Sequence, residues 1–353
     1  MYNKEIRKIV NVRRRLINTF VIRWQMTFLC DYACDFCIQG SRLDHLDASK
    51  TESYAKRKAI ADSLKSIIET KIPKGKIVEL FLIGGEVTVL PDFMSLLSDL
   101  VNCRFEGTIV FHITTNLSKS GKYYADIVRL FSGHPDRILF LSASFYRQYT
   151  TEEIVAEKVA EMDRLDNFSL FKGFRFSRWL LMSVFGRLPL WLYQRNVFFL
   201  VGWPILDDES YYAHKKFMRI VPSTSPIIMR DYPVKLSDGV RKALREGLDS
   251  QSKWSGIAVY LRNKTKCYFK DIQQLGYQLE DKDKFCPDGY LCDAGHDSFS
   301  IDNDGKVWRC PSIGHPSGFF MGDLTKGSFS LFKKYTVCHS SHCSCNYYKI
   351  IKK

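Results

Sequence analysis

The chain has 353 residues, 45% hydrophobic and 25% charged, which are ordinary proportions for a soluble globular protein with room for one large domain and a smaller one. No run of 18 apolar residues is free of charge: the most apolar stretch, around 180–200, carries Arg187, Gln194 and Arg195, which argues against a membrane span. The basic N-terminus lacks an apolar core and a small-residue cleavage site, which argues against secretion and for a cytoplasmic protein.

The net charge of +14 is concentrated at the ends: residues 1–23 hold seven Lys/Arg against Glu5, and residues 331–353 hold five Lys and no acid. Two readings stand: solvated termini, or attraction to an acidic peptide, nucleotide or phosphate-bearing substrate.

Short β-like runs recur at about thirty-residue intervals, at Val21–Phe28, Val78–Gly84, Thr108–Thr114, Arg137–Ser144, Asn196–Gly202 and Pro226–Arg230. "VELFLIG" and "RILFLSAS" are nearly continuous apolar runs, as expected of strands buried on both faces. Between them lie helical patterns. Over 51–70, Ile60, Leu64, Ile67 and Ile68 make one apolar stripe; others lie near 121–132, 152–165, 208–220 and 238–249. This alternation predicts an α/β fold, a partial (β/α)6 TIM-like barrel over residues 20–254 after a basic segment 1–19. Residues 255–353 are expected to form a small cysteine-rich α+β domain, with a hairpin turning at Asn303–Asp304–Gly305. There is no internal repeat.

A catalytic barrel carries its chemistry at the C-terminal ends of its strands. Here the first strand runs into a cysteine loop and the second ends in Gly84–Gly85–Glu86. The third ends in Thr114–Thr115–Asn116, the fourth carries Ser142 and Ser144, and the sixth ends in Arg230–Asp231. Any one of these suits an ordinary turn, but together they mark one edge. Residues 167–195 hold eight aromatics and five Lys/Arg with no acid. They read either as a segment packed on the barrel or as a lid or groove for an extended substrate. No nucleic-acid module is recognisable, so nucleic acid is not the expected partner.

Eight of the eleven cysteines fall in two groups, and with no signal peptide these grouped cysteines read as metal ligands in a reducing compartment rather than as disulfides. Cys30, Cys34 and Cys37 stand in "CDYACDFC". Structural zinc prefers four ligands in paired knuckles, and no partner knuckle is near; His45 lies in a polar stretch. A four-iron cubane accepts three closely spaced thiolates and leaves its fourth iron open.

C-x3-C-x2-C after a first barrel strand, with Phe36 before the last cysteine and GGE at 84–86 ending the next strand, resembles the radical S-adenosylmethionine (SAM) superfamily over roughly residues 20–230. The resemblance implies that Cys30, Cys34 and Cys37 hold a catalytic [4Fe-4S] cluster whose open iron binds SAM. It also implies that Phe36, Gly84, Gly85, Glu86, Asn116, Ser142 and Ser144 help to bind that cofactor. The implied chemistry is reductive cleavage of SAM to a 5′-deoxyadenosyl radical that abstracts hydrogen from the substrate, with a flavodoxin- or ferredoxin-type reductant.

Cys292 and Cys310 flank Gly305 in the form C-x12-G-x4-C, which resembles the opening of the SPASM and twitch extensions of that superfamily. This implies one auxiliary [4Fe-4S] cluster, with its remaining ligands drawn from Cys338, Cys343 and Cys345. A zinc site on the same thiols, with His339 and His342, is the alternative. Cys286 reads as a spare or substrate-side thiol, and Cys103 and Cys267 as small apolar residues. The implied substrate is a peptide or a sugar- or aminocyclitol-like alcohol, undergoing net oxidation, crosslinking or epimerisation. A molybdopterin-biosynthesis-like cyclase and a zinc-binding scaffold are the competing readings.

Overall fold

The computed structural model describes residues 19–35, 37, 53–134, 136–165, 197–220, 224–227, 235–244, 257–260, 266–269, 291–310, 319–338 and 350–351. Expectations for segment 1–18, Phe36, His45, the insert 167–195, Arg230, Asp231, Cys286, His339, His342, Cys343 and Cys345 lie outside these residues.

Six parallel strands follow one another in chain order: β1 (Thr19–Thr27), β2 (Ile77–Gly84), β3 (Ile109–Thr115), β4 (Arg137–Ser144), β5 (Val197–Pro204) and β6 (Thr224–Ile227). Four connections carry a helix on the way to the next strand: α1 (Tyr54–Thr70), α2 (Phe93–Val101), α3 (Gly121–Ser132) and α4 (Glu152–Leu165). A fifth helix, α5 (Asp208–Phe217), follows β5. This is the parallel α/β sheet expected of a partial (β/α)6 barrel. Strand ends differ from the sequence expectation by at most three residues, and β4 and the C-terminal end of β2 match it.

The sheet has two dissimilar faces because side chains alternate along each strand. Phe20, Ile22, Trp24, Met26, Leu80, Leu82, Phe111, Ile113, Leu139 and Leu141 join one core with the buried stripe of α1, which is Ile60, Leu64, Ile67 and Ile68. The opposite face carries Phe81, His112 and Phe140, neighbours across β2, β3 and β4. His112 stacks between the two phenylalanines, at centroid distances of 4.0 and 5.2 Å, and its Nε2 lies 3.3 Å from Glu79. This packed layer sits mid-strand, beneath the C-terminal ends.

Two features depart from the sequence reading. It names no helix between β2 and β3, yet α2 forms there, and its buried residues Phe93, Leu96, Leu97, Leu100 and Val101 fall at i, i+3, i+4, i+7 and i+8, a helical stripe held within nine residues. The stripe of α1 also includes a cation: Arg57 is buried and donates twice to Asp92 at the start of α2, at 2.7 and 2.6 Å.

The C-terminal part adds four strands to the same sheet. β10 (Ser298–Ile301) pairs parallel to β1 on its free edge, with Val21 opposite Ser298 and Trp24 opposite Ile301. β11 (Lys306–Trp308), β12 (Phe320–Asp323) and β13 (Ser328–Phe329) continue outward antiparallel. The β10–β11 hairpin turns where the sequence predicts. Gly305 has φ +87, a left-handed value that glycine adopts without strain, and Asp302 accepts from the N–H groups of Asp304 and Lys306. Two small sheets stand apart. One pairs β7 (Ile257–Tyr260) with β8 (Lys266–Phe269); the other has β9 (Leu291–Cys292) between β14 (Thr336–Val337) and β15 (Ile350–Ile351).

Candidate active site

The cysteine loop leaves β1 and lies against the glycine pair that ends β2. A Cβ on Gly85 would stand 2.2 Å from Leu29 O and 2.9 Å from Phe28 O; one on Gly84 would stand 2.8 Å from Thr27 O. Only glycine permits this approach. The contact is sealed by two backbone bonds, Gly85 N–H to Thr27 O at 3.0 Å and Glu86 N–H to Leu29 O at 2.7 Å. The residue before Cys30 is thereby anchored to the GGE segment.

Glu86 is fully buried. Its carboxylate accepts from Thr88 N–H (3.1 Å), Thr88 Oγ1 (2.6 Å), Thr115 Oγ1 (2.9 Å) and the Asn116 N–H. Burial pushes its carboxyl above the usual range, and these hydrogen bonds oppose the shift. Glu86 therefore caps the short 3-10 turn Val87–Val89 and ties the end of β2 to the end of β3. Its side-chain oxygens are spent inside the protein. The atoms of GGE left to meet a ligand are main-chain ones.

Asn116 performs a related task. Its amide donates to Asp31 Oδ1 at 2.7 Å and its oxygen accepts from Ser118 N–H at 3.0 Å, so the exit of β3 holds the cysteine loop from the side. Leu117 follows with φ 59, a strained value for a residue with a side chain, and its carbonyl accepts from Lys158 Nζ at 2.6 Å.

Three tyrosines close the other flank of the loop. Tyr32 stacks on Tyr149 with centroids 4.2 Å apart, and the Tyr149 hydroxyl accepts from Ala33 N–H at 2.9 Å. Tyr146 packs edge-on to Tyr32 and bonds Ser144. Ser142 and Ser144 themselves lie on the face of β4 away from the helix-side core, where Ala143 points. Asp31 and Tyr149 escape sequence reasoning, and Thr115 reads only as part of the polar end of the third strand. Asp31 sits inside the cysteine motif and so offered a signal, whereas nothing in the sequence links Tyr149 to Ala33.

Cys30 is buried, and Cys34 and Cys37 are partly exposed. The Cys37 N–H bonds Cys34 O at 3.0 Å, which curls the loop. Burial pushes the Cys30 thiol up to about 11 and the Cys34 thiol up to about 12; Cys37 raises both further, and Cys30 raises Cys34. Cys30, Cys34 and Cys37 thus share one neighbourhood on the curled loop. Among the described residues, no three His, Cys, Asp or Glu side chains close around a single ion. A cubane places each thiolate on a separate iron, so its ligands stand further apart than the ligands of one ion. The donor set, three thiols on one loop at a strand end, fits such a cluster.

Cys292 is buried on β9, opposite Thr336 of β14, and Cys338 directly follows that strand. Burial pushes the Cys292 thiol up to about 12, with a contribution from Cys338, so these two sulfurs are also neighbours. Cys310 lies two residues past β11 and is partly exposed. Cys103 is a buried residue in the helix-side core, as its apolar reading predicts.

Against known proteins, residues 24–185 match the model of the Radical SAM superfamily. No curated protein matches the chain.

Proposed function

We propose a function on the premise that the chain is a radical SAM protein, with residues 24–185 forming that superfamily's domain. Its chemistry is that of a SAM-dependent radical enzyme, which needs a substrate and a reductant. Cys30, Cys34 and Cys37 hold the catalytic [4Fe-4S] cluster. The Gly84–Gly85–Glu86 main chain, with Asn116, Ser142, Ser144 and Phe36, forms the SAM side of the site. When bound, the cluster and SAM supply a one-electron cleavage that ends in hydrogen abstraction from an unactivated C–H bond.

The observation that carries this reading is the bonding of the GGE segment to the cysteine loop at Thr27 and Leu29. It sets the GGE main chain beside the loop that carries the three thiols. The chain's own residues do the holding. The glycines allow the approach, Glu86 fixes the β2 and β3 exits relative to each other, and Asn116 with Tyr149 pins the loop at Asp31 and Ala33. The ring layer of Phe81, His112 and Phe140 floors the strand face below.

The substrate in this proposal is a peptide or a sugar- or aminocyclitol-like molecule, oxidised, crosslinked or epimerised. Cys292, Cys310 and Cys338, with Cys343 or Cys345, hold an auxiliary cluster that accepts the second electron or shapes the pocket. The nearness of Cys292 to Cys338 favours that second site. A cyclase of the molybdopterin-biosynthesis kind would use the same two groups. The test is iron and sulfide analysis with a visible spectrum after anaerobic reconstitution. About eight irons per chain and a broad band near 400 nm support two four-iron clusters. About four irons, lost in Cys30→Ala, would remove the auxiliary one, and zinc in place of iron would sink the reading.

A further inference from the structure

One side chain joins the three segments that carry Cys292, Cys310 and Cys338. Arg309 directly precedes Cys310 and is buried. Its Nε donates to Ala294 O at 3.0 Å, two residues beyond Cys292. Its two terminal nitrogens donate to Val337 O and Thr336 O, both at 2.9 Å, and Val337 directly precedes Cys338. Phe319 lies 5.6 Å from the guanidinium carbon, and its carbonyl accepts the Arg309 main-chain N–H at 2.7 Å.

The ladder that pairs β9 with β14 directly is only two residues long on each side, and β11, which leads to Cys310, belongs to a different sheet, so Arg309 ties that strand to both. A planar fork with rigidly placed donors is the side chain suited to holding three separate carbonyls at fixed distances. Lysine offers one nitrogen and cannot span them. Arginine also keeps its charge when buried, so it sets a permanent cation beside any thiolates gathered here.

We infer that Arg309 is the positioning residue of the second cysteine group: its guanidinium sets Cys292, Cys310 and Cys338 in register so that they receive an iron–sulfur cluster. This rests on the auxiliary-cluster reading above. Arg309 donates to three main-chain carbonyls, so it acts through the backbone that carries the ligands.

The test uses the full chain with Cys30, Cys34 and Cys37 all changed to alanine, so that any bound iron belongs to the second site. After anaerobic reconstitution with iron and sulfide, this background should bind about four irons per chain. Adding Arg309→Met or Arg309→Lys should cut that several-fold. In the otherwise unaltered protein, the same two substitutions should remove second-site iron and leave the first cluster's iron in place, which shows that the barrel is folded. Retention of second-site iron in both Arg309 variants overturns the inference while sparing the auxiliary cluster. Absence of iron in the triple-alanine background overturns the auxiliary cluster and the inference with it. Should Arg309→Met lose both clusters, Arg309→Lys decides: first-site iron alone supports the inference, and both irons retained overturns it.

Discussion

Gly85→Ala would place a methyl group 2.2 Å from the carbonyl oxygen of Leu29. Non-bonded carbon and oxygen settle near 3.2 Å, so the ends of β1 and β2 must separate by about 1 Å. The obstacle is backbone on both sides, and no rotamer change relieves it. Opening by that amount carries the Gly85–Thr27 and Glu86–Leu29 bonds, now 3.0 and 2.7 Å, past hydrogen-bonding range. Each buried N–H left without a partner costs about 1–3 kcal/mol, so the pair costs roughly 2–6 kcal/mol. At about 2–4 °C per kcal/mol, the melting temperature should fall by at least about 4 °C. Leu29 is bonded directly to Cys30, so iron loading of the first site should fall as well. The assay is thermal unfolding by circular dichroism together with iron per chain after reconstitution. A variant with unchanged melting and full iron would refute the close-approach role given to Gly85.

Three further outcomes follow from the same contacts. In Glu86→Gln, either orientation of the amide turns an NH2 toward the Thr88 or the Asn116 N–H, so one buried donor is orphaned. The expected loss is about 1–3 kcal/mol with weakened SAM binding, read by melting and equilibrium dialysis, and unchanged SAM affinity would leave Glu86 a cap alone. Arg57→Ala strands Asp92 in a buried position and should cost about 3–5 kcal/mol in denaturant unfolding, whereas Arg57→Met with Asp92→Leu should recover most of it. Cys30 and Cys34, pushed up to about 11 and about 12, hold their protons at neutral pH. Cluster loading must expel those protons, so it should strengthen as pH rises from 7 to 9 and release acid in a pH-stat, and pH-independent loading would contradict the raised thiols.

The parallel sheet was legible because buried strands are short continuous apolar runs and the helices between them show a 3.6-residue stripe. The stripe of α2 at Phe93, Leu96, Leu97, Leu100 and Val101 has the same period but went unread in so short a run, and Arg57 breaks the apolar stripe of α1 with a charge whose partner, Asp92, lies 35 residues on. The pairing of β10 with β1 joins residues nearly 280 positions apart, and no local pattern announces a parallel edge partner at that range. At the site, residue types and spacing pointed to the cysteine loop and to GGE. The internal engagement of Glu86 and Asn116 was not legible, since it depends on the exits of β2 and β3 meeting in space. Nor was Arg309, whose three acceptors are main-chain carbonyls with no sequence signature.

The central claim is tested most directly by incubating the anaerobically reconstituted protein with SAM and dithionite and measuring 5′-deoxyadenosine, with Cys30→Ala as the control. The account predicts 5′-deoxyadenosine and methionine from the unaltered chain and neither from the variant. Iron-loaded protein that leaves SAM intact, or equal cleavage in Cys30→Ala, would contradict it.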